Sequence, residues 1–345
     1  MTKPVILTGL RANNNLTIGN YFGAMLPIVD MAKHRSADYQ VNMFIPDLHS
    51  ITTPVDYSAL HNQIMLTAKN FVAAGLPLDN DQIFLYRQSY IPAHSELAWI
   101  LDCFTGIGEM NRMTQFKDKS DGLGDERVSV GLFNYPVLMA ADMLLYGSEY
   151  IPVGDDQSQH IEFTRDIGER MNKQFGDLFV IPKAVKELHA FFGKDQGLRI
   201  MDLQDPSKKM SKSDESGKGV IFLSDTPEAA ARKVMSAVTD EEACVRFDRE
   251  KQPGISNLLE ILALLQNREL KEVIAEFEGL TRYGDFKAVV AEEVRRFLLD
   301  FQNKLHAVKD SEVLVKLEQS EKDLNIIANA TLLRAQQAVG LRQKV

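Results

Sequence analysis

Cysteine is nearly missing from these 345 residues: Cys103 and Cys244 stand far apart, outside any Cys-x-x-Cys or Cys/His cluster. That pattern argues against a disulfide framework, a structural zinc or an iron–sulfur cluster, and it fits a reducing, cytoplasmic setting. Tryptophan occurs once, at Trp99. No apolar run reaches the roughly 18 residues that a membrane span needs, and the N-terminus lacks a secretory-signal pattern. Positive charge is also in short supply, since 39 Lys and Arg face 48 Asp and Glu for a net charge of −9. Such a chain does not coat nucleic acid by bulk charge, although recognition of RNA by a local basic face stays open.

What is present is an ordinary globular composition, 45% apolar and 25% charged, long enough for one large or two moderate domains. Residues 4–8, 40–45, 82–86, 150–153 and 197–203 read as strands. Between the earlier ones lie helical patterns. One runs over 19–33, where Pro27 predicts a kink or break near Leu26. A second is capped by Asp56, carries Leu60, Ile64, Ala68 and Phe71, and ends at Gly75. A third holds Leu97, Trp99, Leu101 and Phe104, with Trp99 expected to pack. Further helices are expected over 134–147, where Pro136 fits a first turn, and from 157 to about 175. This alternation predicts an α/β fold with a doubly wound parallel sheet, whose ligands bind at the carboxyl ends of strands. Beyond Thr226 the strands stop. Helical periodicity over 227–238, 255–265, 270–278, 285–305, 311–317 and 320–339 predicts a helical module, so the expected domains are 1–225 and 226–345.

Six stretches could carry chemistry. The segment 7–23 reads as strand, Gly/Asn-rich turn and helix start, and free backbone N–H groups beside Gly19 suit a phosphate. The loop Ser207-Lys208-Lys209-Met210-Ser211-Lys212-Ser213 is either solvated surface or a source of ammonium groups for charge moving onto a leaving phosphate. In helix 134–147, Tyr135, Met139, Asp142 and Tyr146 share one face. A carboxylate among Leu138, Met139, Ala140, Ala141, Met143 and Leu144 needs a partner, either a structural donor or a ligand N–H. His49, after Pro46-Asp47-Leu48, reads as a turn residue or a ligand-facing one. Gly154-Asp155-Asp156-Gln157 suits a ribose hydroxyl, a substrate ammonium or a plain helix cap. The polar stretch 106–130 is a solvated loop or, through Lys117 and Lys119, a lid.

Thr17-Ile18-Gly19-Asn20 resembles the first signature of class I aminoacyl-tRNA synthetases in the form typical of bacterial tryptophanyl enzymes, and Lys209-Met210-Ser211-Lys212-Ser213 matches the second. The runs 108–117, 135–142, 153–157, 237–240 and 253–259 are similar to segments of the same family, so the resemblance spans about residues 5–340. It implies a Rossmann-like class I catalytic domain with a dimerisation and lid insertion at about 106–150, and a C-terminal helical domain that meets the tRNA anticodon. It further implies a homodimer that activates L-tryptophan with ATP, Mg²⁺ being carried by the nucleotide, and transfers it to tRNA(Trp).

By resemblance, Thr17, Asn20, Lys209 and Lys212 act on the phosphates. ATP is further met by Arg11, Ala12, Asn13, Gly19, Gly154, Asp155, Asp156, Ile200, Met210, Ser211 and Ser213. Tryptophan is met by Leu7, His49, Tyr135, Met139, Gln157 and Asp142, which receives the indole N–H. Lys117 and Lys119 belong to the lid, and no protein metal cage is expected. Two departures stand out: Arg11-Ala12-Asn13-Asn14 replaces the common Gln-Pro-Ser-Gly, which leaves Arg11, Ala12 and Asn13 assigned by position alone, and Asp155 replaces glutamate. Lys233, Arg246, Arg282, Arg295 and Arg296 are candidate RNA-phosphate contacts. A tyrosyl enzyme of the same fold and a catalytically weak RNA-binding paralogue are the alternative readings.

Overall fold

The computed structural model describes residues 3–12, 16–114, 128–152, 154, 157–193, 200–210 and 217–343. In chain order come β1 (Val5–Gly9), α1 (Ile18–Asn20), a π-turn over Tyr21–Met25, α2 (Leu26–Arg35), β2 (Gln40–Ile45), α3 (Asp47–Ser50) and α4 (Tyr57–Ala73). They are followed by β3 (Ile83–Arg87), a 3₁₀ turn at Gln88–Tyr90, α5 (Ala93–Asp102), α6 (Ile107–Met110), α7 (Val130–Leu144), β4 (Ser148–Tyr150), α8 (Ser158–Phe175) and α9 (Val185–Phe192). The remainder is helical: α10 (Pro227–Met235), α11 (Pro253–Gln266), α12 (Leu270–Phe277), α13 (Tyr283–Ala307) and α14 (Asp310–Ala338). Pro27 acts as its chemistry requires. The expected irregularity near Leu26 is a π-turn, in which the Leu26 N–H reaches back five residues to the Tyr21 carbonyl, a wider turn that accommodates the proline ring.

By contacts the chain divides into two compact units, 1–13 with 28–196 and 309–345, and 14–27 with 197–308. The first unit reclaims the last helix, and the second holds the first signature.

In the first unit the four strands are all parallel, in the order β3-β2-β1-β4. Consecutive residues such as Ile6 and Leu7, or Val41 to Met43, are all buried, as expected of a sheet covered on both faces. The chain moves outward from β1 to β2 and β3, then returns to β1's other side with β4. The carboxyl end of β1 is thus a topological switch point, where a crevice opens in this class of sheet. Gly9 is needed there, since a Cβ would lie 2.7 Å from the Phe44 carbonyl oxygen of the neighbouring strand.

β3 is an edge strand, and its unpaired amides are taken up by α14. Leu85 N–H donates to Ser320 Oγ at 3.2 Å and Arg87 N–H to Glu321 Oε1 at 3.1 Å. This explains why 311–317 and 320–339, expected as two helices, are one: the polar Ser320 interrupts the apolar pattern but continues the buried stripe Val313, Leu317, Ser320, Leu324. Leu324, Ala328, Leu332 and Ala335 then pack into the core shared with α5, α7 and α8.

Three further expectations are corrected. Trp99 is 71% exposed, because α5 buries Leu97, Ile100 and Leu101 and residue 99 points away from that face. α7 starts at Val130 with Ser129 as its cap, so Pro136 lies inside the helix rather than in its first turn. β4 ends at Tyr150, and Ile151 and Pro152 continue as irregular chain.

In the second unit, residues 200–203 do not extend the sheet; Met201 makes an isolated antiparallel bridge to Lys209. Their backbone groups go instead to the lysine loop, through Met210 N to Ile200 O at 3.0 Å and Asp202 N to Lys208 O at 2.9 Å.

Candidate active site

In the second unit the two signatures meet. Thr17 caps α1 by accepting from Asn20 N–H at 3.1 Å, and the Asn20 side chain accepts in return from Thr17 N–H at 3.2 Å. These two side chains therefore hold the turn that presents the Gly19 amide. The turn is sewn to residues 221–223 through Ile18 N to Ile221 O at 3.0 Å and Leu223 N to Leu16 O at 2.8 Å. A Cβ on Gly19 would come within 3.7 Å of Ile200 Cβ and 3.8 Å of Met210 Cβ, so the glycine start and the lysine loop pack directly together. Ile200 and Met210 are buried and Lys209 is exposed.

What steadies this loop was missed at the level of sequence. The buried Asn257 accepts from Met201 N–H at 2.8 Å and donates to Met201 O at 2.9 Å. Pro253-Gly254 packs so closely on Val238 that a Gly254 Cβ would sit 2.1 Å from its carbonyl oxygen, and Val238 N–H in turn donates to Leu203 O at 2.8 Å. Runs 237–240 and 253–259, noticed as strings, thus act as one bracket beneath residues 200–210. The five basic residues singled out for RNA each face an acid: Lys233 with Asp225, Arg246 with Glu242, Arg282 with Asp285, Arg295 with Glu292 and Arg296 with Glu293.

The first unit contains a cavity of about 390 Å³ at the switch point. Leu7, His49, Tyr135, Met139, Asp142 and Gln157, the six residues expected to meet tryptophan, all line it, as does Arg11, which was expected to meet ATP. The walls are otherwise mostly apolar, including Phe44, Met143 and Ile151. Ala12 is buried, and the Gly154 carbonyl accepts from Gln157 N–H at 3.0 Å. Asn13, Asp155, Asp156, Ser211, Lys212, Ser213 and the lid residues Lys117 and Lys119 lie outside the described residues.

Asp142 is fully buried, and three side chains compensate it. His49 Nε2 donates to Oδ2 at 2.8 Å, while Gln88 Nε2 and His94 Nδ1 donate to Oδ1 at 2.7 and 2.6 Å. Burial on its own would raise the Asp142 pKa, but the hydrogen bonds and charge of His49 and His94 outweigh it and hold the group below the ordinary carboxylate value. The other ring nitrogen of His94 lies 2.8 Å from the Tyr146 hydroxyl, whose own pKa burial pushes well up, helped by Asp142 and opposed by Tyr86.

The fold brings these donors together by stitching strand ends. Asp47, just past β2, accepts from Ser89 N–H at 2.8 Å and Ser89 Oγ at 2.5 Å, which ties His49's turn to Gln88's. Gln88 and His94 were not foreseen. The available signal was that both flank the end of a strand predicted to be buried, where polar side chains need a reason. On the far wall, Tyr135 pairs its hydroxyl with His160 Nε2 at 2.9 Å.

A carboxylate has about four lone-pair positions. Described residues fill three, which leaves a fourth, on Oδ2, that could accept one more N–H from a ligand in the mostly apolar pocket. Among the described residues, no group of three or more His, Cys, Asp and Glu side chains is arranged to hold a metal ion.

A parallel sheet with its crevice at the first strand, and a glycine helix start packed on a lysine loop, define an α/β nucleotide-activating protein. The match to the tRNA synthetases of class I (W and Y) covers residues 2–299, and the chain belongs to that family. It is 43% identical over 343 residues to the tryptophan–tRNA ligase of Bacillus subtilis, 99% of each chain being covered. Its structure is similar to a tryptophanyl-tRNA synthetase from Mycoplasma pneumoniae, with TM-score 0.81, 31% identity and 99% of each chain covered. It is similar also to the Campylobacter jejuni tryptophanyl-tRNA synthetase complexed with ADP and tryptophan, with TM-score 0.79, 30% identity, and 97% of this chain and 99% of that one covered.

Proposed function

We propose that this chain is a tryptophan–tRNA ligase: it activates L-tryptophan with ATP to the adenylate and transfers the tryptophanyl group to the 3′ end of tRNA(Trp), releasing AMP and pyrophosphate. The observation that carries the reading is Asp142, a charged acceptor with one position left, at the wall of an apolar pocket among relatives that bear that name. The indole N–H takes the fourth position on the carboxylate, and Leu7, Met139 and Tyr135 enclose the ring. Gln157 receives the ammonium. Phenylalanine would leave the acceptor unpaired, a loss that sites of this kind turn into discrimination of roughly 10⁴- to 10⁵-fold.

The amino acid's carboxylate is ionised at neutral pH, so activation needs positioning and charge stabilisation rather than a base. One carboxylate oxygen bonds to the α-phosphorus as the bond to the pyrophosphate oxygen breaks, and the ribose hydroxyl of the tRNA end later displaces AMP at the acyl carbon. We assign the departing phosphates to the Gly19 amide, to the Thr17 and Asn20 turn that presents it, and to Lys209 and Lys212. Mg²⁺ travels on the phosphate oxygens of ATP, as is usual for an ion that few proteins cage.

Exchange of labelled pyrophosphate into ATP tests the reading. It is expected with tryptophan and not with tyrosine or phenylalanine. Exchange with tyrosine would favour the tyrosyl alternative, and exchange with no amino acid the non-catalytic one.

We also propose a homodimer. Trp99, Ile107 and Val130 are 71%, 73% and 81% exposed on α5, α6 and α7, of which α7 packs against both others, and large exposed apolar groups on neighbouring elements favour association. Trp99, as the sole tryptophan, reports on this. Its emission is expected to shift to the blue, and acrylamide quenching to weaken, as protein concentration rises through the dimer dissociation constant. Fully solvated emission at every concentration would remove this face from the interface. A cytoplasmic location and anticodon contact by the helical residues beyond 226 complete the proposal.

A further inference from the structure

Resting on the tryptophan reading of the pocket, we propose that Arg11 binds the α-carboxylate of the amino acid, and is thus a substrate-binding residue of the tryptophan pocket rather than of the ATP site. Arg11 lines the same cavity as Asp142, Tyr135 and Gln157. It is partly buried, and it has no ion pair or side-chain hydrogen bond with any described residue. Burial lowers its pKa, with Tyr135 opposing, but a guanidinium stays charged under any such shift.

A cation in a mostly apolar pocket, with no counter-ion among the described residues, calls for an anion. Asp142, the acid that lines that cavity among the described residues, does not serve, because three of its positions go to His49, Gln88 and His94 and the remaining one is the acceptor for the indole N–H. The zwitterionic substrate brings one cation and one anion. In the proposed function its ring N–H and its ammonium have acceptors in Asp142 and Gln157, so the carboxylate is the group still needing a partner, and among the described residues Arg11 is the cation lining the pocket without an anion. The flat guanidinium fork also suits a carboxylate bidentately. A neutral residue at this place, such as the glutamine common in the family, would supply a hydrogen bond without the charge.

Binding of tryptophan and of tryptamine, measured by calorimetry on the full-length protein without nucleotide, tests this directly. Tryptamine keeps the indole and the ammonium and lacks only the carboxylate. The unaltered protein is expected to prefer tryptophan, and Arg11→Gln to lose roughly ten- to hundredfold of that preference, the range for a hydrogen bond to a charged group. Tryptamine affinity should be unchanged, which also shows that the variant is folded. Arg11→Lys should keep part of the preference, and the KM for ATP in exchange should stay within about twofold, well under the factor of ten that 1.4 kcal/mol represents. A preference that is the same in the unaltered protein and in Arg11→Gln, or a variant that loses ATP rather than tryptophan, overturns the inference while leaving the tryptophan reading intact. An unaltered protein that binds neither tryptophan nor tryptamine overturns both.

Discussion

Asp142→Asn is expected to lower kcat/KM for tryptophan by roughly 10⁴-fold, the scale at which a site built around a ligand hydrogen bond rejects a mismatch, with the KM for ATP little changed. The amide keeps the shape of the carboxylate but turns an NH₂ group toward His49, Gln88 or His94, all of which donate to that position. With the NH₂ on the His49 side the indole loses its acceptor, and with the NH₂ on the other side Gln88 and His94 meet a donor, so either orientation removes the charge and unsettles the residues that aim the group. Pyrophosphate exchange with each substrate varied in turn measures the effect, and equal losses toward tryptophan and ATP would refute the assignment.

The same variant should be less stable, and the deficit has a sign in pH. Because Asp142 is held below its ordinary pKa, its stabilising contribution is complete above the unfolded value of about 3.9 and is lost as pH falls through the folded value. Urea unfolding of the two proteins should therefore differ at neutral pH and converge in acid below about pH 4.

The second large effect concerns stability alone. Arg87 donates through Nε and Nη2 to Glu321 at 2.7 and 2.8 Å, and both side chains are under 10% exposed, at 4% and 7%. Its guanidinium also lies 3.4 Å over the Tyr90 ring. Removing either partner leaves a buried charge with nothing to balance it, so Arg87→Ala or Glu321→Ala should each cost about 3–5 kcal/mol. Replacing both at once with Arg87→Met and Glu321→Leu should cost far less than the sum of the single changes, since no charge is then stranded. A loss under about 1 kcal/mol for the single variants would mean that the pair behaves as if solvated. Gln88 follows Arg87 directly, so the last helix also steadies one of the donors to Asp142, and a weaker affinity for tryptophan is expected to accompany the lost stability.

Much of the site was legible from short strings, for a local reason. Thr17 and Asn20 make their reciprocal cap within four residues, and β1 shows as a strand because burial on both faces leaves a continuous apolar run. Trp99 misled because an apolar side chain on an amphipathic helix is normally packed, and nothing local says which residues fall on the outer face. Ser320 and Glu321 split one helix into two in the sequence pattern because their polarity serves the edge of β3, more than 200 residues earlier.

From its sequence alone, this protein determined the parallel α/β class, the two signatures and the acidic residue deep in an apolar helix, because each depends on periodicity or on residues a few positions apart. Only the tertiary structure decided that His49, Gln88 and His94 converge on Asp142, that the last helix closes β3, and that Arg11 stands in the same cavity as Tyr135. Those arrangements join residues 48 to 235 positions apart, and the partner of a buried charge is set by which strand ends meet, a matter of topology that no local pattern encodes.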